Sequence, residues 1–117
     1  MATRIYRQGD VLLTQVDFLP ETQVIDPKTQ QVPGMLTLAY GEATGHHHSI
    51  VKDKNVALLE TVTENDAEAK EIFLNVMAEK GATLTHQEHG AIVLPKGGFK
   101  VTIQREHEPE AIRNVID

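Results

Sequence analysis

Glu71-Ile72-Phe73-Leu74-Asn75-Val76-Met77-Ala78-Glu79-Lys80-Gly81 is the stretch on which the fold class turns. At a helical repeat, Ala69, Ile72, Phe73, Val76 and Met77 share one face, and Gly81 stands where a helix is capped. At a two-residue repeat, Ile72, Leu74, Val76 and Ala78 share one side of a strand. Local pattern over Asn65 to Lys80 supports a helix, whereas the flanking segments favour a strand, and both readings stay open at this point.

Those flanks are β-rich. Downstream, Ala91 to Leu94 and Phe99 to Glu106 read as strands joined by Pro95-Lys96-Gly97-Gly98, a hairpin signal. Upstream, His47 to Lys52 and Val56 to Thr61 read as a second hairpin about Asp53-Lys54-Asn55. Met35 to Tyr40 is a further strand, preceded by a long surface loop over 17–34 that Pro20, Pro27, Pro33 and Gly34 punctuate. Ile5 to Val16 begins the chain as a hairpin turning at Gln8-Gly9-Asp10. From Glu108 onward, Pro109 in a first turn marks a short terminal helix. The expectation is an all-β, mainly antiparallel meander of about eight strands, a small β-barrel or β-sandwich with a short C-terminal helix.

At 117 residues the chain fits one domain, spanning 1–117, and its 40% apolar and 24% charged composition is that of a folded protein. A net charge of -6 opposes binding to phosphate backbones or anionic membranes, which select clustered Lys and Arg. With no Trp and few other aromatic residues, an extended base-stacking platform is also unsupported, although a small nucleotide in a pocket stays open. The absence of cysteine excludes disulfides, thiolate metal sites and thiol nucleophiles, so any metal is held by nitrogen and oxygen. No apolar signal core and no apolar run long enough to span a bilayer occur, and the expected location is cytoplasmic.

The strongest chemical signal is Gly41-Glu42-Ala43-Thr44-Gly45-His46-His47-His48. Strand alternation sends His46 and His48 one way and His47 the other, so a His-x-His pair can chelate one ion. A second cluster, Thr85-His86-Gln87-Glu88-His89-Gly90, brings two more imidazoles and a carboxylate into a turn that Gly90 favours. Along Phe99 to His107, alternation puts Val101, Ile103, Arg105 and His107 on one face, so Arg105 and His107 extend a core stripe toward a polar mouth. The metal ligands expected are His46, His48, His86 and His89, with Glu88, Arg105 and His107 handling protons or substrate charge. A divalent ion of the Zn, Fe, Ni or Mn type suits such donors.

Two other classes compete with a metal-dependent enzyme acting on a small molecule. One is a non-catalytic accessory module that binds a small ligand or a protein. The other is a metal-free His and Glu acid–base enzyme of phosphodiesterase type, with Arg105 steadying an anion. Taken one at a time, each histidine also reads as an ordinary exposed or hydrogen-bonded side chain. Gly9-Asp10 and Pro95-Lys96-Gly97-Gly98 read as turns, and no dinucleotide or phosphate-loop fingerprint is present.

Tyr6-Arg7-Gln8-Gly9-Asp10-Val11-Leu12-Leu13, the Gly41 to His48 run, Leu84-Thr85-His86-Gln87-Glu88-His89-Gly90 and Gln104-Arg105-Glu106 together resemble a family of small, uncharacterised bacterial and phage-associated proteins. The resemblance implies a β-rich fold with a strand at 71–79 and carries no activity. A weaker similarity is to cupins, small β-barrels whose first motif joins a glycine, a His-x-His pair and an acid around one metal. His46-x-His48 and Asp53 imitate that order. The glycine spacing is off by one, Asp53 replaces a glutamate, and Lys100 stands where a second-motif histidine belongs.

Overall fold

A computed structural model describes residues 4–25, 34–40, 46–62 and 70–104. Among them the regular structure is entirely β, as the sequence predicts, and the sheets are antiparallel. The strands are β1 (Ile5–Gln8), β2 (Val11–Val16), β3 (Thr22–Val24), β4 (Met35–Tyr40), β5 (His47–Val51), β6 (Val56–Thr61), β7 (Ile72–Val76), β8 (Ala82–Leu84), β9 (Ile92–Leu94) and β10 (Gly97–Ile103). The expected C-terminal helix lies outside the described residues, and no helix among them is long and apolar enough to cross a membrane.

Residues 72–76 form a strand, which overturns the helical reading there. The helical face would bury Met77 and leave Leu74 outside it, whereas Leu74 is fully buried and Met77 is exposed. Ile, Phe and Val suit a pleated, buried surface, and β7 is paired on both sides, with β10 and with β6. Gly81 is no helix cap. Its φ is +84°, and a Cβ there would lie 2.1 Å from the Leu94 carbonyl oxygen, so glycine is required where β8 closes against β9.

Six strands form an open sheet in the order β1-β2-β10-β7-β6-β3, so the barrel alternative is not realised. The ribbons β4-β5 and β8-β9 are stitched together by the Ser49–Thr85 bridge, whose two amides donate to the opposite carbonyls at 3.0 and 2.9 Å. Leu36, Leu38 and Ile50 from β4-β5 share a single buried cluster with Leu84 and Leu94 from β8-β9 and with Leu13, Leu74 and Phe99 of the large sheet. The architecture is thus two β layers with the apolar side chains between them, the sandwich solution to burying one face of each sheet.

Two expected hairpins are layer crossovers instead. β5 pairs β4 and β6 pairs β7, although the intervening turn forms as expected, with Asp53 Oδ1 accepting from Asn55 N–H at 2.8 Å. Similarly β9 pairs β8, whereas β10 pairs β2 and β7 across Pro95 to Gly97. Turn residues specify that the chain bends; they do not specify which layer receives the next strand. β3 also occupies part of the stretch expected as loop, as a short edge strand on β6.

Candidate functional site

The first hairpin turns as predicted: Gln8 pairs with Val11, and Gly9 takes φ 59° in the two-residue loop between them. This loop, β5 and the segment after β8 meet at one place, and their hydrogen bonds fix the tautomers of three histidines.

Alternation along β5 puts His47 and Ser49 on one side and His48 on the other. The Gln87 side-chain amide donates from Nε2 to His47 Nε2 at 3.1 Å, while its Oε1 accepts from the His47 backbone N–H at 2.7 Å. His47 therefore carries its proton on Nδ1 and donates it to Ser49 Oγ at 2.5 Å, and Ser49 Oγ lies 2.8 Å from Thr37 Oγ1. Ser49 is completely buried and receives a proton from its histidine, so this chain is a strut tying β5 to the 86–89 loop, not a nucleophile with a base.

His48 lies on the opposite side with 2% of its surface exposed. Gln8 Nε2 donates to Leu84 O and to Gly90 O, both at 2.9 Å, which fixes the amide so that Oε1 accepts from His48 Nδ1 at 2.9 Å. The proton of neutral His48 is thus on Nδ1, and its Nε2 electron pair stands 3.4 Å from Asp10 Oδ1. Burial, reinforced by His86, lowers the His48 pKa from 6.5 to about 4, overriding the upward pull of Asp10. At neutral pH the pair presents two electron donors side by side, an arrangement suited to a cation.

His86 has the other tautomer. The backbone amides of Glu88 and His89 donate to its Nδ1 at 3.0 and 3.2 Å, leaving the proton of the neutral ring on Nε2. Burial, then His89 and His46, holds its pKa below the ordinary histidine value. Its ring centroid is 4.3 Å from that of His48, 4.7 Å from His89 and 5.5 Å from His46, so four imidazoles form one cluster. At the solvent side His46 Nδ1 is 3.7 Å from Glu88 Oε2. The backbone of Gly9 forms a floor under His89: a Cβ on Gly9 would sit 2.6 Å from His89 Nε2.

Metal–nitrogen bonds of about 2.0–2.1 Å place two imidazole centroids on one ion at most about 6.5 Å apart. The His48 and His89 centroids, 6.2 Å apart with near-parallel rings, lie at the outer limit of that reach, so His89 would have to turn before both nitrogens met one ion. As the side chains stand, no group of three or more His, Asp or Glu is disposed to hold an ion among the described residues. Beside His48 and Asp10, further donors would come from rotation of the exposed His89 and the half-buried His46.

Of the residues singled out from sequence, His46, His48, His86, His89 and Glu88 are brought together, while Arg105 and His107 lie outside the described residues. Gln8 and Asp10 are additions. The turn reading of Gln8-Gly9-Asp10 accounts for Gly9 but misses its flanks. The only signal was that both flank the turn glycine inside the Tyr6 to Leu13 segment that carries the family resemblance. Asp53, the acid of the cupin analogy, is engaged in its own turn, and Lys100 Nζ pairs with Glu71 Oε2 at 2.7 Å.

Residues 7–104 match a protein family described as a domain of unknown function, DUF8820. The chain belongs to that family. The matched span starts just before Gln8 and ends just after β10, so it includes every residue of the imidazole cluster. No curated protein and no solved structure matches the chain.

Proposed function

We propose that the domain binds a single divalent metal ion, with His48 Nε2 and the Asp10 carboxylate as anchoring donors and His89 and His46 completing the set. The observation that carries this reading is the orientation of His48. A buried imidazole whose Nδ1–H is committed to a fixed amide, and whose Nε2 pair faces a carboxylate, is the arrangement by which proteins prepare a histidine ligand. Zn, Fe, Ni and Mn all accept such nitrogen and oxygen donors. An ion held by three or four of them keeps a position for water or a small molecule, and Glu88, at the exposed rim beside His46, is placed to exchange protons there.

Elemental analysis of untagged protein, followed by titration of His48→Ala and Asp10→Asn with zinc and manganese, tests the reading. The expected result is one ion per chain, lost in His48→Ala and weakened in Asp10→Asn. Untagged protein that neither retains nor takes up either ion would sink it. The close approach of His46 and Glu88 favours a second reading, metal-free acid–base chemistry, whose mark is activity that survives chelation.

A further inference from the structure

We infer that His86, although it sits at the centre of the imidazole cluster, is not a ligand to the ion but the N–H donor that receives an oxyanion bound on it. This rests on the metal-binding reading and adds to it the class of molecule that the site takes.

The argument begins with the loop. Two successive backbone amides, those of Glu88 and His89, converge on His86 Nδ1 at 3.0 and 3.2 Å. An N–H can only donate, so Nδ1 supplies the electron pair and is not available to a metal. Nε2, on the ring edge away from those amides, carries the proton, and ligation through it would require an imidazolate. His48 is wired in the opposite sense, with Nδ1 donating to Gln8 and Nε2 left to give electrons. Two rings with centroids 4.3 Å apart are therefore set as complementary tautomers, one to hold a cation and the other to donate a hydrogen bond.

The surroundings narrow what that proton serves. The His89 and His46 rings stand 4.7 and 5.5 Å away, so the donor lies among the groups that would gather around an ion. A molecule bridging ion and donor needs an oxygen that can coordinate and accept at once, as a carboxylate does. With Asp10 and Glu88 at the same site, a free anion is repelled and binds only after the ion has supplied positive charge. The prediction is strict order: metal first, oxyanion second.

The test uses the intact protein loaded with cobalt(II) and titrated with acetate, read from the visible cobalt bands. Wild-type protein should bind one cobalt and then acetate. His86→Ala should keep its cobalt with unchanged affinity while acetate binding weakens on the order of tenfold, the loss of one hydrogen bond to a charged acceptor. His86→Asn, which retains a neutral N–H donor, should recover part of that loss and guards against an Ala variant that folds poorly. Long-range proton–nitrogen spectra of the zinc form should show a protonated Nε2 on His86. Loss of cobalt in both variants, or a zinc-shifted His86 nitrogen, would make His86 a ligand and overturn the inference. Unchanged acetate affinity in His86→Ala would also overturn it. Failure of the wild type to bind cobalt would instead remove the metal reading beneath it.

Discussion

Gln8 commits both halves of its side-chain amide, one to two backbone carbonyls and the other to His48. Gln8→Ala would leave the Leu84 carbonyl without that partner in a buried setting, and a cost of about 1–3 kcal/mol in urea-denaturation stability is expected. The same change frees His48 to adopt either tautomer, so zinc affinity should drop by roughly 10–100-fold in calorimetric titration. Acid gives a second handle. The His48 pKa lies at about 4 in the folded chain against 6.5 unfolded, so the unfolded chain binds the extra proton first. Metal-free protein should be fully stabilised in this respect above pH 6.5 and lose stability progressively as the pH falls toward 4. Removing the imidazole in His48→Ala should flatten that part of a melting-temperature profile. The histidines were legible in the sequence as a cluster, because Gly45-His46-His47-His48 and His86-Gln87-Glu88-His89 have ligand-like spacing. Their protonation was not, because a tautomer is set by partners such as Gln8, 40 residues from His48, that no local pattern connects.

Among the elements, the β1-β2 turn and the β8-β9 ribbon bring bare backbone close to other groups, and each yields a substitution test. Gly9→Ala adds left-handed strain of about 1–2 kcal/mol and pushes on His89, whose side chain can swing away. The expected outcome is a modest fall in melting temperature together with loss of the His89 contribution to metal affinity. Gly81→Ala meets a backbone carbonyl at 2.1 Å, where no side chain can yield, so its loss of stability in urea should be clearly larger than that of Gly9→Ala. Strand positions were largely readable from alternation and β-branched content at Val11 to Val16, Met35 to Tyr40 and Val56 to Thr61. β7 was ambiguous because Ile72 and Val76 satisfy both periods, and pairing with β6 and β10 decides between them. Partner choice was unreadable for β5 and β9, since both leave through turn sequences compatible with a hairpin.

At the level of the whole molecule, the ladder order predicts a gradient of local stability. β10, β7 and β2 lie inside the large sheet and carry the fully buried Phe99, Leu74 and Leu13, whereas β1 and β3 are its edges. Native-state amide exchange should be slowest in the first three strands and fastest at the two edges. Leu74→Ala, in a central strand, should cost about 2–5 kcal/mol. The all-β class followed from the succession of short strand-like segments and the turn signals between them. Between barrel and sandwich the sequence left the choice open, because it depends on crossovers that a single sequence leaves undetermined.

The Gln8 amide reaches Leu84 and Gly90 across separations of 76 and 82 residues. During synthesis, the hairpin carrying Gln8 and Asp10 leaves the ribosome long before the segment that must clasp it. A nascent chain therefore lacks the assembled histidine cluster, and an ion bound as proposed would be captured only after translation has passed residue 90. On the metal-binding proposal, ion loading would be a late event in biogenesis, following emergence of the segment that carries Leu84 and Gly90.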